Sequence, residues 1–389
     1  MLLVKGRGNL NSETTLANSL VAKVQLGLPS AVAKLSAKMR FIDHIAPKLR
    51  KSGVIRPVRK MTPLSIRVSG IATAGKVIAA YGGMIYSAGA VRQDLYINEG
   101  SIYKTNLDSL VDIDEADDID VVKKLKFIHI TQMYDLLENM MNEEDLPQLV
   151  IVDTPLVLER ADAPLELFHQ LFSDYQTCKE RIHTFWSSYK EKMYPYNPDG
   201  VRLVSISTKR FGSIFYGLSV LDGDHYILDE ITKSEIHEEE DTFEKIKKVG
   251  VKKLLHGVLT RRSRTAAYEY SLLTNDNRLE PVSVRDLGLI NFHFRAGMRT
   301  LPLLAEVIGK KEDWNTEMID ELASNLVSLV TIDQPQALPL PLWYADYALK
   351  PIKTGTIINY FKTQVREMVR SEEVEKVWKE EADLFEGDE

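Results

Sequence analysis

Leu149-Val150-Ile151-Val152-Asp153-Thr154-Pro155-Leu156 joins four consecutive aliphatic residues to a carboxylate and a turn. Four aliphatics in a row suit a strand buried on both faces, and Thr154-Pro155 stops it where Asp153 emerges at the sheet's edge. A carboxylate at that place is either part of a site or the cap of a following helix, with Pro155 in the first turn of that helix. The neighbouring elements have to decide between the two.

Composition sets the outer limits. With 389 residues, 44% of them hydrophobic, the chain can bury a substantial core. The single cysteine, Cys178, excludes an intrachain disulfide and a cysteine-cluster metal site, and suits a reducing compartment. No apolar run approaches membrane-spanning length and the N-terminus lacks the apolar core of a secretory signal, so a cytoplasmic protein is expected. The net charge of −7 is unevenly spread. Residues 1–63 hold twelve Lys or Arg against Glu13 and Asp43, a charge of +10, while the other 326 residues carry −17. A basic segment beside an acidic body is what a polyphosphate partner would require; a solvated helical face is the plainer reading.

Along the chain, the apolar spacing of residues 14–50 predicts two amphipathic helices broken near Gly27 and Pro29. From 64 to 105 short β-type runs follow, Leu64 to Val68, Lys76 to Ala80, Met84 to Ala90, Asp94 to Asn98 and Ser101 to Lys104, punctuated by glycines as in an antiparallel meander. The acidic stretch 112–120 lacks calcium-loop spacing and reads as a solvated loop and helix start. A helix over 121–142 should bury Phe127, Ile130, Tyr134, Leu137 and Met141, with Asp135 and Glu138 three apart on one face. After Pro155 a long helical stretch is expected to about Met193, restarting at Pro164. Val201 to Ser207 reads as a strand delivering Lys209, with a hairpin around Asp222-Gly223 next. Eight basic residues between 244 and 264 make a second phosphate-facing patch or a solvated face. Then come a strand at Leu289 to Arg295, a helix at 317–330, a proline-rich connection at 335–341 and one or two helices over 342–370. The organisation is thus a basic helical segment (1–63), a main domain (64–370) and an acidic tail (371–389).

Several chemistries are absent. No Gly-rich loop ends in Gly-Lys-Ser/Thr, no Gly-x-Ser-x-Gly elbow occurs, and the eight histidines show no zinc-ligand spacing.

Glycine-punctuated strands, a helix with a carboxylate, and a buried strand ending Val-Ile-Val-Asp-Thr-Pro-Leu resemble, in that order, the NurA nuclease family. In that family the corresponding strand ends Asp-Gly-Ser-Leu, and Asp153 and Leu156 keep its first and last members. Leu203 to Lys209 is similar to the family's strand leading to a lysine, and Leu338-Pro339-Leu340-Pro341-Leu342-Trp343-Tyr344-Ala345-Asp346 to its Tyr-Pro-Tyr-Pro-Leu followed by Ala-His. The resemblance implies an α/β fold, an RNase H-like mixed sheet flanked by helices, here with an N-terminal helical extension. It also implies a nuclease acting on DNA ends with manganese or magnesium, a homodimer, and a HerA-like hexameric ATPase as partner in DNA processing or repair. The site residues it implies are Asp153, Glu138 (or Asp135 in another register) and Asp346 as metal ligands, with Lys209 orienting a phosphate.

One member of the family's set is missing. Its first strand carries an Asp, and alignment puts Tyr81 there, or Ser69 in an alternative register. Two-metal hydrolysis of a phosphodiester needs oxygen ligands that converge, one ion generating hydroxide and the other stabilising the leaving oxygen. In RNase H-like sites the first-strand carboxylate bridges the two ions. Without it, two further readings stand beside the nuclease: a non-catalytic NurA-fold subunit that binds DNA or regulates the ATPase, and an interaction protein whose charged ends serve assembly.

Overall fold

The computed structural model describes residues 10–61, 63–80, 83–116, 120–165, 169–207, 214–215, 226–236, 242–270 and 287–368. The strands are β1 (Ile55–Pro57), β2 (Ile66–Ala80), β3 (Gly83–Asn98), β4 (Ser101–Ala116), β5 (Leu149–Val152), β6 (Arg202–Ser207), β7 (Ser263–Thr265), β8 (Tyr268–Glu269), β9 (Leu289–Arg295) and β10 (Leu303–Ile308). Among the described residues the helices are α1 (Leu10–Lys51), α2 (Val121–Met141), α3 (His169–Tyr189), α4 (Thr242–Val249), α5 (Val251–Val258), α6 (Thr316–Leu329), α7 (Leu340–Ala348), α8 (Lys350–Lys353) and α9 (Thr356–Met368).

The strands of the described residues join one sheet in the order β1-β7-β9-β10-β6-β5-β2-β3-β4, with β8 added beside β9. β2, β3 and β4 form an antiparallel meander, and β5 then lies parallel to β2 on its other side with β6 parallel beyond it. A meander, a crossover helix and two parallel strands in the order β4-β3-β2-β5-β6 make an RNase H-like core, extended here by β10, β9, β7 and β1. The buried β5 run separates two apolar layers. Val150 and Val152 pack with Ile130, Tyr134 and Leu137 of α2 and Cys178 of α3, while Leu149 and Ile151 pack with Leu326 of α6 and Leu342 and Ala345 of α7. The buried side expected for α2 is the observed one.

Several expectations are corrected. Residues 10–51 form one helix through Gly27 and Pro29, because the backbone N–H that proline lacks falls on an exposed stretch where water can satisfy the freed carbonyl. The short β runs fuse into strands of 15 and 16 residues. Gly70 and Gly89 are points of close approach inside those strands rather than turns. An added Cβ at Gly70 would lie 2.3 Å from the Pro341 carbonyl carbon, and one at Gly89 2.2 Å from Ile352 Cδ1. The β3–β4 turn is Glu99-Gly100, both with positive φ, as a two-residue hairpin requires. Residues 112–116 belong to β4, and the Tyr86 hydroxyl donates to Asp112 across the pair. The α2 helix starts after Asp120, whose carboxylate accepts the Lys123 N–H. Within the second basic patch, Arg264 is fully buried and bidentate to Asp229 (2.7 and 2.9 Å), so it braces the core and cannot face a phosphate. The hairpin expected around Asp222-Gly223 and the acidic tail 371–389 lie outside the described residues. No helix among the described residues is long and apolar enough to cross a membrane.

Candidate nuclease-fold site

The site grows from the place where β5 leaves the sheet. Asp153 N–H donates to the Ile71 carbonyl (3.2 Å), the last rung of the parallel pairing with β2. Two residues further along β2, the Thr73 N–H points to the same side, where β5 has no further carbonyl to offer. The Asp153 carboxylate takes its place. Thr73 N–H reaches both Oδ1 and Oδ2 at 3.1 Å, and the hydroxyls of Thr73 (3.2 Å) and Thr154 (3.0 Å) donate to Oδ1. Thr154 is fixed in turn, since its carbonyl accepts the buried Ser205 hydroxyl at 2.8 Å. Asp153 therefore caps a strand end. Among the described residues no α-helix begins after Pro155 before His169, which removes the helix-cap alternative and shortens the helical stretch expected there.

Burial first, with the nearby charge of Asp346 adding to it, pushes the Asp153 carboxyl up to about 6 against the pull of the Thr73 and Thr154 donors. Asp346 reaches this place because α7 lies directly against β2 at Gly70. It is itself engaged, through Oδ1 with Lys353 Nζ, whose ammonium also donates to the Asp346 carbonyl at 3.3 Å.

The other implied ligands are used elsewhere. Glu138 and Asp135 do share a face of α2, as their spacing predicts, but both grip Arg181 of α3, Glu138 at 2.5 Å. Ser69 donates to Asp94 at 2.5 Å within a buried cluster that includes Arg67 and Arg92, so neither it nor Asp94 is presented to Asp153 by this arrangement. Tyr81 and Lys209 lie outside the described residues. Among the described residues no group of three or more His, Cys, Asp or Glu side chains is placed to hold a metal ion. Among the described residues the implied donors are not gathered for a pair of manganese or magnesium ions: Glu138 is tied to a guanidinium of α3, and Asp346, beside Asp153, to an ammonium.

Thr73 and Lys353 escaped the sequence reading. Thr73 is the one polar residue in the run Gly70-Ile71-Ala72-Thr73-Ala74, a signal, but only the β2–β5 register gives it meaning. Nothing local marks Lys353 as the partner of Asp346.

The strand order and the crossover helix define an RNase H-like fold, with a carboxylate at the end of β5. It is a NurA-like fold: the chain is similar to the NurA nuclease from Sulfolobus solfataricus with a TM-score of 0.58 over 90% of this chain and 98% of that one, at 10% identity. A structure of NurA with manganese (TM-score 0.40, 10% identity, 89% and 99% of the two chains) and endonuclease V from Bacillus subtilis (0.31, 11%, 81% and 92%) are also similar. No protein-family model and no curated protein matches the sequence.

Proposed function

We propose that this chain is a NurA-fold DNA-binding subunit, a homodimer that meets DNA ends beside a HerA-like hexameric ATPase, with a hydrolytic site reduced below a two-metal nuclease. The observation that carries the reading is the partner of Asp153 on the first long strand. On that strand Asp153 is met by Thr73, which brings a neutral hydroxyl and a backbone N–H and not a carboxylate. A hydroxyl adds no negative charge, and two divalent ions held close together need several carboxylates to offset their repulsion. DNA binding rests on the +10 charge of residues 1–63, and the ATPase and the dimer on resemblance to the family.

A second reading has its own support. Asp153 and Asp346 are close enough for one to raise the pKa of the other, and that pair could serve a single manganese or magnesium ion in a weak nuclease, with Lys209 orienting the phosphate. Incubating the purified chain with linear DNA and manganese or magnesium, with and without the ATPase, separates the readings. The expected result is salt-sensitive DNA binding without digestion. Metal-dependent digestion that disappears in Asp153→Ala would establish the nuclease instead, and absence of binding at low salt would remove DNA from the account.

A further inference from the structure

The helix that carries Asp346 also exposes three aromatic rings. Pro341, Leu342 and Ala345 of α7 are buried against the sheet. Its other side presents Trp343 and Tyr344, each 38% exposed, and Tyr347, 62% exposed. Trp343 and Tyr347, four apart, stack with ring centroids 5.8 Å apart and an interplanar angle of 20°, while Tyr344 meets Trp343 edge-on at 5.1 Å. Three large rings left in water on one helix are not explained by the core, which α7 already fills with its other face.

From this geometry we propose that Trp343 and Tyr347, with Tyr344 as a buttress, form a stacking platform for unpaired DNA bases, so that the chain takes single strands in preference to duplex. The proposal rests on the DNA-binding reading above and names its substrate form. A stacked pair with open faces extends naturally by one more flat ring, and every base offers one, so such a platform is sequence-tolerant. Duplex bases are stacked on each other and cannot enter it. Asp346 lies three residues after Trp343, so the platform borders the Asp153–Asp346 pair. The negative charge of Asp346 would repel a phosphate, but Lys353 offsets it. Lys350, a turn beyond Tyr347, is exposed and has no acidic partner among the described residues, which leaves it available to the backbone of a bound strand. A free cation beside an open aromatic stack favours a nucleic acid over a protein as the occupant.

The test follows intrinsic fluorescence of the full chain as oligo(dT) of about twelve nucleotides or a duplex of equal length is added. Trp186 and Trp314 are buried and Trp378, which lies outside the described residues, is replaced by Phe in every protein compared, so quenching on oligo(dT) would be reported chiefly by exposed Trp343, and Trp343→Phe should abolish that signal while retaining most of the affinity. Tyr347→Ala should weaken oligo(dT) binding by roughly tenfold and leave duplex binding unchanged, whereas Tyr347→Phe, which keeps the ring, should bind like the parent. Circular dichroism melts of these surface variants should match the parent. Equal oligo(dT) affinity in Tyr347→Ala, or equal loss for both DNA forms, overturns the platform while DNA binding stands. A parent chain that binds neither form at low salt overturns both.

Discussion

The Asp153 carboxylate occupies the position a backbone carbonyl would have held had β5 run two residues further. That substitution explains its electrostatics: it must sit in the sheet to reach the Thr73 N–H, and the sheet strips away its water. Its carboxyl is consequently raised to about 6, first by burial and then by Asp346. An acid whose folded value lies above its unfolded one adds stability that is fully present below the unfolded value. That stability is lost as pH rises through the folded value, here about 6. The parent should therefore lose stability relative to Asp153→Asn between pH 4 and 7, and parallel thermal melts of the two across that window check it. Asp346→Asn should bring the Asp153 titration, followed by carboxyl NMR, back toward the ordinary range. If it does not move, the two carboxylates are uncoupled and the one-ion alternative loses its only support.

At the scale of elements, the contact that brings α7 to the site is the absence of a side chain at Gly70. A methyl there would lie 2.4 Å from the Leu342 N and 2.5 Å from the Pro341 O, backbone atoms that cannot step aside without moving the helix. Gly70→Ala should cost about 1–3 kcal/mol in denaturant unfolding and, by lifting α7, also lower the Asp153 titration. A loss of stability with the titration unchanged would mean that Asp346 is held by something other than this packing. The same glycines show how far the sequence could be read. β5, β9, α2 and α6 were legible because burial on one or both faces writes its own period into the residues. The meander was legible as β but broken too often, since Gly70 and Gly89 look like turns until the helices that lie on them are known. For the site the limit was sharper. Asp153 and Asp346 stood out as carboxylates at the ends of recognisable motifs, yet the donor of Asp153 lies on Thr73, 80 positions away, and depended on strand register, while its nearness to Asp346 depended on the docking of α7. The grip of Arg181 on Asp135 and Glu138 is of the same kind. Spacing put the two acids on one face but could not say that α3 would bring them a guanidinium.

For the whole molecule, the unused surface is on α1. Its apolar residues recur at three and four through Val21, Val24, Leu28, Val32, Leu35, Met39, Ile42, Ala46 and Leu49, a single seam. Only its last part is employed: Ile42, Ile45, Ala46 and Leu49 pack with Leu254, Leu255 and Val258 of α5, whereas the six residues from Val21 to Met39 are all exposed. Residues 21–40 span about 30 Å at 1.5 Å per residue, enough for an extended contact. The seam is flanked by Lys23, Lys34, Lys38 and Arg40, with no acid between Glu13 and Asp43. The apolar seam, and not the cations, would make the contact between two copies, which leaves the +10 charge of residues 1–63 to DNA. In the proposed homodimer the seam of one copy would pack against the other copy. Leu28→Asp combined with Leu35→Asp should convert the dimer to a monomer in sedimentation velocity. Because both side chains are already in water, the thermal midpoint of the separated chain should be unchanged. A double variant that still sediments as a dimer would place the interface elsewhere, and a parent that is monomeric at tens of micromolar would remove the dimer itself.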